Sequence, residues 1–318
     1  MSANANVCSR VKGMLCAVVW LLWATAAAAD PPLVTPTAML DGALHCPATF
    51  DHPGREPVLL VHGATVNYQE SWSWNYAPAL TSMGYDVCGV DLPERGGIDL
   101  QVSTEYVVHA IDRIHAWTGR KVDVVGHSEG SVLTRWAVKW WPRLWDKTDD
   151  VVLLASPAHG TQVADLLCAL PCSAPAWQAR PGSNWIAALN AGDETPGPLS
   201  YTSVYTELLD ELVVPAASAD IAGAENLAIQ DLCPLRPVTH AGMVYDAAVF
   251  RLVLDAVANP GPADFTRLGP NPCSSQYLPG VTALDVLLFT GTGIPRFSFE
   301  LITTDKLTAE PPLMSYAQ

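Results

Sequence analysis

The chain has 318 residues, of which 49% are hydrophobic and only 15% are charged, and its formal net charge at pH 7 is -15. This length suits one large domain or two small ones, with enough apolar residues for a sizeable core. The acidic balance and the lack of any basic run argue against a nucleic-acid-binding protein, because affinity for phosphates comes from clustered Lys and Arg.

The first 29 residues have the pattern of a secretory signal peptide. Arg10 and Lys12 form a positive n-region, Met14–Trp23 an apolar h-region, and the alanines before Asp30 a small-residue cleavage site. The apolar stretch is shorter than the roughly 20 residues that a membrane-spanning helix requires. We therefore expect residues 1–29 to be removed. The mature chain, residues 30–318, is expected to form a single domain without an integral membrane segment and to be secreted into an oxidising compartment.

Removal of that peptide leaves six cysteines: Cys46, Cys88, Cys168, Cys172, Cys233 and Cys273. An even number of cysteines in an exported chain predicts disulfide bonds, although their spacing alone does not select the connectivity. Cys168 and Cys172 have no second pair of Cys or His residues close by in the sequence, which argues against a zinc site.

Short apolar runs rich in β-branched residues alternate with amphipathic segments through most of the mature chain. The predicted strands cover residues 57–61, 85–92, 121–125, 149–157, 201–206 and 226–229, and the main predicted helices cover residues 103–118, 129–141 and 243–258. Such alternation predicts βαβ units with right-handed crossovers. The expected fold class is α/β, with a mostly parallel sheet and helices on both faces. Two apolar runs near the C-terminus, residues 286–289 and 297–301, are predicted as peripheral strands.

The strand at residues 121–125 continues directly into the G-x-S-x-G sequence of residues 126–130 and then into a predicted helix. This strand-turn-helix context is that of a nucleophile elbow, a tight turn that needs small residues two positions before and after the serine. Gly126 and Gly130 satisfy this need, and Ser128 is the candidate nucleophile. The alternative is a plain strand-to-helix turn with an exposed serine.

The strand at residues 57–61 is followed by His62, Gly63, Ala64 and Thr65. A glycine directly after a central strand allows close approach of the backbone to a ligand, and in α/β-hydrolases this loop supplies an oxyanion-hole N–H group. We expect the backbone N–H groups of Ala64 and Glu129 to bind the oxyanion. His62 is expected to shape the loop and not to act as a base.

The catalytic base is inferred by elimination. In α/β-hydrolases the triad follows the chain order Ser, Asp or Glu, His. His159 comes directly after the strand that follows Ser128 and leaves little room for an acid between them. His240, on a loop before a predicted helix, is therefore the expected base.

Asp210 is the best candidate for the acid, because it follows the predicted strand at residues 201–206. Four apolar residues beside it are expected to hold it in place: Leu208, Leu209, Leu212 and Val213. Glu207 and Glu211 are its competitors, and each of the three could instead be a solvated loop charge.

Residues 160–200 contain apolar side chains interrupted by prolines, between two predicted strands of the sheet. This segment suits an excursion over the sheet that lines or covers an apolar pocket, as a lid does. Ordinary packed loop structure is the alternative interpretation.

Several motifs together resemble the α/β-hydrolase lipases related to lipase B of Candida antarctica. The similarity extends over roughly residues 40–250, and its motifs are Leu60–Gly63, Thr104–Tyr106, Gly126–Gly130, Ser156–Thr161, Asp210–Pro215 and His240–Gly242. The resemblance implies an α/β-hydrolase fold and a serine carboxylester hydrolase that acts on lipids such as acylglycerols, in transient contact with a lipid surface. It further implies the triad Ser128, Asp210 and His240, without a metal or other cofactor.

The resemblance also implies disulfide bonds from Cys46 to Cys88 and from Cys233 to Cys273, with Cys168 and Cys172 as a local clip. Two other functions remain open at this point. One is a short-chain or polyester esterase, such as a depolymerase, and the other is a non-catalytic α/β-hydrolase relative that only binds its ligand.

Two positions depart from the pattern of the family. Ala64 stands where the family has threonine, so a hydroxyl donor to the oxyanion is missing, and Glu129 stands where the family has glutamine. A carboxylate beside an oxyanion is unfavourable unless it points away or is paired. Arg135 is the expected partner.

Overall fold

A computed structural model describes residues 30–318, apart from the side chains of residues 294–299 and 301–302. The predicted signal peptide lies outside the described residues. The strands are β1 (Leu44–His45), β2 (Val58–Val61), β3 (Val87–Val90), β4 (Val122–His127), β5 (Thr148–Leu154), β6 (Ser200–Tyr205) and β7 (Glu225–Ala228). The α-helices are α1 (Thr37–Gly42), α2 (Tyr68–Ser71), α3 (Tyr76–Ser82), α4 (Leu100–Thr118), α5 (Glu129–Trp140), α6 (Gln162–Leu167), α7 (Ala174–Gln178), α8 (Asn184–Asn190), α9 (Ile229–Leu232), α10 (Ala247–Ala258) and α11 (Ala283–Thr303).

The strands form one sheet in the order β1-β3-β2-β4-β5-β6-β7. The short edge strand β1 is antiparallel to β3, and each of the other neighbouring pairs is parallel. This confirms the predicted α/β class and the mostly parallel sheet. Because parallel strands end at the same edge, the loops that follow β2, β4, β5, β6 and β7 are gathered at one edge of the sheet.

Helices cover both faces of the sheet, as predicted. Strand β2 shows why both faces have to be covered. Its residues are all fully buried, and their side chains alternate between two clusters. Leu59 and Val61 pack with residues of α4 and α5, whereas Val58 and Leu60 pack with residues of α3 and α10. A continuous apolar strand is stable only when both of its faces are covered.

Two helices begin at positions that differ from the prediction. Helix α4 begins at Leu100, because the Asp99 carboxylate accepts a hydrogen bond from the N–H of Gln101, and not at Ser103. It ends at Gly119 in the left-handed conformation, as expected. Helix α10 begins at Ala247, where the Asp246 carboxylate caps it, because the preceding residues form a short 3-10 turn.

The two predicted C-terminal strands are wrong, because residues 286–289 and 297–301 both belong to α11. This helix begins with a capping box in which the side chains of Thr282 and Asp285 each accept a backbone N–H. Short apolar runs do not distinguish a strand from a helical segment by periodicity alone. Within residues 30–318, no helix is both long enough and apolar enough to cross a bilayer.

The six cysteines are joined in three disulfide bonds, Cys46–Cys88, Cys168–Cys172 and Cys233–Cys273. These are the pairs that the resemblance implies. The first joins the chain after β1 to β3, and the third joins the chain after α9 to a loop beyond α10. Disulfide bonds persist in oxidising compartments, so they support export from the cytosol.

Two buried carboxyl groups lie side by side at the amino edge of the sheet. Asp123 in β4 is 1% exposed and Asp150 in β5 is 5% exposed, and the Asp150 N–H donates to the Asp123 carboxyl group. Burial, with a smaller contribution from the negative charge of Asp149, raises the pKa of Asp150 to about 7. Burial and the charge of Asp150 raise the pKa of Asp123 well above its ordinary value.

Asp150→Asn should therefore change how the stability of the protein depends on pH. The folded wild type keeps a proton on Asp150 that the unfolded chain releases, so its free energy of unfolding falls as pH rises from the ordinary value of 3.8 to about 7. Asparagine does not titrate. We expect the Tm of the variant, relative to wild type, to be higher at neutral pH than near pH 4, by about 2 °C or more in thermal denaturation.

Asp149→Asn is the matched control, because the Asp149 side chain is 48% exposed and is paired with Lys121. Its Tm difference from wild type should change with pH much less than that of Asp150→Asn, because the charge of Asp149 contributes less than burial to the raised pKa of Asp150. A Tm difference for Asp150→Asn that is independent of pH would contradict the buried pair as its source.

Candidate active site

Ser128 occupies a sharp turn between β4, which ends at His127, and α5, which begins at Glu129. Its backbone angles are φ 54° and ψ -121°, a region that non-glycine residues rarely adopt. The Ser128 N–H donates to the carbonyl of Leu154 in β5 at 2.8 Å, which anchors the turn to the sheet. Strain of this kind persists only where the surrounding structure enforces it, and it is concentrated at functional sites.

The glycines on either side of the turn allow α5 to approach the sheet. A Cβ atom on Gly126 would lie 2.6 Å from the carbonyl oxygen of Gly130, and a Cβ atom on Gly130 would lie 2.5 Å from that of Val61 in β2. Neither position has room for a side chain. The spacing seen in the sequence is therefore a requirement of packing around Ser128.

Asp210 and His240 are brought together by backbone pairing between two loops. Leu209 and Thr239 form an isolated parallel bridge beyond the ends of β6 and β7, and the next residue in each loop is Asp210 and His240. The Nδ1–H group of His240 donates to the Asp210 carboxylate, with distances of 3.0 and 3.1 Å to its two oxygens. Both side chains are 4% exposed.

The carboxylate of Asp210 is stabilised by backbone groups. It accepts the N–H of Leu212 at 3.0 Å and the N–H of Val213 at 2.7 Å. Burial acts to raise the pKa of Asp210, but the hydrogen bonds and the charge of His240 hold it below its ordinary value. The expectation that apolar neighbours hold this residue is wrong for Leu208 and Leu209, whose side chains are about half exposed. Val213 is buried, and it and Leu212 hold the carboxylate through their backbone N–H groups.

In the described part of the chain, the second ring nitrogen of His240 is left without a partner in the cavity that contains the candidate nucleophile. Its Nε2 atom is buried and has no hydrogen-bond partner among the described residues, and His240 and Ser128 line the same cavity. In the neutral ring, Nδ1–H donates to the carboxylate and Nε2 is the nitrogen that can accept a proton. The arrangement can thus perform general-base chemistry on a serine hydroxyl.

The two competitors of Asp210 occupy other positions. The Glu211 carboxylate accepts the backbone N–H of His240 at 3.0 Å, so it holds the main chain of the loop and not the ring. Glu207 is exposed, and its N–H donates to the side chain of Gln230. Asp210 is the only one of the three whose carboxylate contacts the imidazole of His240.

Two other histidines near the site are neutral and structural. Burial lowers the pKa of His62 to about 4, and its ring links the Gly63 carbonyl to the Leu92 N–H, which shapes the loop after β2. Burial, followed by the nearby His240, lowers the pKa of His127 to about 3. The Nε2–H of His127 donates to the His240 carbonyl at 3.1 Å. Nothing in the sequence singled out His127, which fills a variable position of the motif.

The backbone groups expected to bind an oxyanion lie beside Ser128. Ala64 and Glu129 both line its cavity, and Glu129 is the first residue of α5, where helix N–H groups have no intrahelical partner. The loop that carries Ala64 is held by the Thr65 N–H, which donates to the Arg95 carbonyl at 2.7 Å. The positive end of the α5 dipole points toward the same place.

The remaining walls of the cavity are mainly apolar. Residues 160–200, between β5 and β6, contain α6, α7 and α8, and the first two of these helices contribute Val163, Ala164, Leu167, Pro175 and Ala176 to the lining. These side chains form part of the wall of the cavity that Ser128 lines. Glu300 and Thr304, at the end of α11, lie on another side.

The expected ion pair between Glu129 and Arg135 is wrong. The guanidinium of Arg135 donates to the side chain of Asn190 at 2.9 Å and to the carbonyl of Glu194 at 3.1 Å. The carboxyl group of Glu129 is buried, and its Oε1 atom has no hydrogen-bond partner among the described residues. Burial raises the pKa of Glu129 well above its ordinary value.

Among the side chains that the structure describes, one group of residues could hold a metal ion. Oxygen atoms of Asp123, Asp149 and Asp150 lie within 4.8 Å of one another. These residues are at the amino ends of β4 and β5, at the edge of the sheet opposite to Ser128. They have no contact with the reacting groups described above.

Three comparisons with known proteins identify relatives of this chain. A family model described as lipase (class 2) matches residues 55–246. The chain is 30% identical over 302 residues to lipase B of Pseudozyma antarctica, covering 91% of this chain and 87% of that protein. The crystal structure of Aspergillus fumigatus lipase B superimposes with a TM-score of 0.84 at 27% identity, over 99% of this chain and 78% of that one.

A more distant structure shares the fold alone. The mature form of a Bacillus licheniformis lipase superimposes with a TM-score of 0.51 at 17% identity, over 64% of this chain and 93% of that one. The α/β-hydrolase sheet is therefore common to this chain and to lipases whose sequences have diverged widely.

Gly130→Ala should disturb the turn at Ser128. The new methyl group would displace α5 from the carbonyl of Val61, so we expect a free energy of unfolding lower by about 2 kcal/mol or more. Gly42→Ala is the matched control, because no atom lies within 4 Å of a Cβ at that position. Chemical denaturation would measure both variants. Equal stability of the two would contradict the close packing inferred around Ser128.

Proposed function

Because this chain belongs to the class 2 lipase family, it is a carboxylic ester hydrolase, and we propose that it works through an acyl-enzyme formed on Ser128. One observation carries this proposal. The hydrogen-bonded pair of Asp210 and His240 leaves Nε2 of the imidazole unpartnered in the cavity that Ser128 lines. A nucleophile, a base and a carboxylate that orients the base are the three groups that acyl transfer requires.

The proposed reaction has two halves. His240 Nε2 accepts the proton of the Ser128 hydroxyl as the Oγ atom attacks the ester carbonyl carbon, and the tetrahedral intermediate then expels the alcohol, which takes that proton from His240. Water, deprotonated by His240, attacks the carbonyl carbon of the acyl-enzyme. The second tetrahedral intermediate then releases the carboxylic acid as the Ser128 Oγ atom leaves and takes that proton back from His240. Asp210 stays ionised, holds the imidazole tautomer and stabilises the imidazolium formed in each half.

The backbone N–H groups of Ala64 and Glu129 are proposed to bind the oxyanion. Both residues line the cavity beside Ser128, and the amino end of α5 adds its positive dipole. One such donor typically contributes about 3 kcal/mol of transition-state stabilisation. Ala64 carries no hydroxyl group, so it contributes only its backbone N–H, and the adjacent Thr65 also lines the cavity.

The proposed substrates are esters of apolar acids, such as acylglycerols. The apolar lining from α6 and α7 suits a hydrocarbon chain, and residues 160–200 are the proposed pocket and lid region. Leu166 and Leu170 in this region are 77% and 76% exposed. Exposed leucines beside an apolar cavity suit transient contact with a lipid surface, since apolar side chains on a surface often mark such contacts.

The proposed enzyme is a secreted, single-domain protein of residues 30–318. Three disulfide bonds support an oxidising compartment, and the amino-terminal pattern supports cleavage before Asp30. The acidic charge disfavours nucleic acid as a partner. The proposed chemistry uses only side-chain and backbone groups of the chain, so it requires no cofactor.

Ser128→Ala should abolish hydrolysis of p-nitrophenyl esters by the mature chain. Removal of the nucleophile should lower kcat/KM by about 10⁴-fold or more, whereas Ser82→Ala, at the exposed end of α3, should have no effect. Activity that extends from acetate to palmitate would identify a lipase, and activity confined to short acyl chains would favour the esterase alternative. A folded wild type that is inert on every ester would favour a binding protein instead.

Asp210→Asn and Glu211→Gln should differ sharply in kcat, although each variant only replaces a carboxylate with an amide. An amide at residue 210 no longer fixes the tautomer of His240, so we expect kcat to fall by about 10⁴-fold. Glutamine at residue 211 still offers an oxygen to the His240 N–H, so kcat of this variant should fall by less than about 10-fold. Steady-state kinetics would measure both, and a larger loss in Glu211→Gln would reverse the assignment of the acid.

A further inference from the structure

Glu129 is an acidic residue at an unusual place. It directly follows the proposed nucleophile, its backbone N–H is a proposed donor to the oxyanion, and it lines the same cavity as Ser128 and His240. Its side chain is nevertheless almost completely buried, since the residue is 6% exposed. A negative charge fixed at this place would oppose the negative charge that develops on the substrate oxygen.

The carboxyl group of Glu129 packs against a turn formed by residues 93–96. A Cβ atom on Gly96 would collide with the Oε1 atom of Glu129, so the absence of a side chain at Gly96 creates the space that the carboxyl group fills. Oε1 receives no hydrogen bond from any of the described residues. The space is therefore shaped for the group, but among the described residues no hydrogen-bond donor stabilises its Oε1 atom in an ionised form.

The charged and titratable groups around this place do not compensate Glu129. Arg95, on the same turn, forms ion pairs with Glu70 and with Glu300 of α11. Glu94 is exposed and carries the same charge as an ionised Glu129. The His240 ring is hydrogen-bonded to Asp210. Among the described side chains no cation forms an ion pair with Glu129, and Arg135 is bonded elsewhere, to Asn190 and Glu194.

The same turn connects Glu129 to the second proposed oxyanion donor. Glu94, Arg95 and Gly96 all have positive φ angles, of 47°, 57° and 76°. The carbonyl of Arg95 accepts the N–H of Thr65, the neighbour of Ala64. A displacement of Gly96 would thus be transmitted through one peptide unit and one hydrogen bond to the loop that carries Ala64.

We propose that Glu129 supports ester hydrolysis as a neutral carboxylic acid, a positioning residue of the oxyanion site whose ionisation switches the reaction off. The neutral group fills the space beneath Gly96 and keeps both oxyanion donors in place. The ionised group places a negative charge beside the oxyanion and is driven toward water past Gly96. Both effects lower the rate of ester hydrolysis. This proposal rests on the acyl-enzyme function of Ser128 proposed above.

The direction of the expected pH dependence follows from the protonation equilibrium of the Glu129 side chain. Burial raises the pKa of Glu129, so the neutral form predominates on the acidic side and the carboxylate on the alkaline side of the raised value. Activity of the wild type should therefore fall on the alkaline side. Glutamine has nearly the same shape as the neutral acid and cannot ionise.

The decisive experiment compares pH profiles of kcat and kcat/KM for wild type, Glu129→Gln and Glu94→Gln, from about pH 5 to about pH 10. Wild type and Glu94→Gln should lose at least about 10-fold in kcat on the alkaline side, whereas Glu129→Gln should keep its activity there. On the acidic side, Glu129→Gln should stay within about 3-fold of wild type. Glu94→Gln is matched, because it removes an exposed carboxylate from the same cavity wall. An identical alkaline loss in Glu129→Gln, or no loss in wild type, would overturn the proposal.

A second measurement does not need activity. Infrared difference spectra between wild type and Glu129→Gln at neutral pH should contain the carbonyl stretch of a protonated carboxylic acid, and the same band should appear when both proteins carry Ser128→Ala. A carboxylate band in its place would disprove the neutral acid even in an inactive protein. A neutral acid in a protein that hydrolyses no ester would instead refute the acyl-enzyme function, and with it the role of Glu129.

Discussion

The close approach of α5 to the carboxyl ends of β2 and β4 is the constraint on which the rest of the site depends. Gly130 lies against the carbonyl of Val61, and Gly126 lies against the first turn of the helix. The chain can reverse in so little space only if Ser128 takes a positive φ angle. That single turn fixes the serine side chain, aims the helix dipole and sets the position of the Glu129 N–H group.

The parallel sheet then brings distant parts of the chain to this turn. The loops after β2, β6 and β7 leave the same edge of the sheet as the Ser128 turn, and they contain Ala64, Asp210 and His240. The final alignment of the acid and the base comes from the backbone, through the bridge between Leu209 and Thr239. An arrangement fixed by main-chain bonds tolerates changes in neighbouring side chains, which explains why the leucines beside Asp210 can remain exposed.

Sequence reasoning succeeded where local chemistry has a single solution and failed where tertiary contacts decide. The elbow was readable because a tight turn demands glycine at two fixed positions, and buried strands were readable from continuous apolar runs. The helix near the C-terminus was misread, because its apolar runs are short and its capping box at Thr282 was overlooked. The partner of Arg135 was unpredictable, since it depends on how the segment that contains Asn190 folds back over α5.

The arrangement of β1 also affects how the protein behaves in a concentrated solution. A sheet edge with unpaired N–H and C=O groups is a template for the strand of another molecule. Here the apolar strand β3 is covered by β1, which has two residues, runs antiparallel and is joined to β3 through Cys46 and Cys88. The covalent bond keeps this short cover in place when thermal motion would otherwise release it. The edge of β3 is therefore not free to pair with a strand of another molecule while the disulfide bond holds β1 in place.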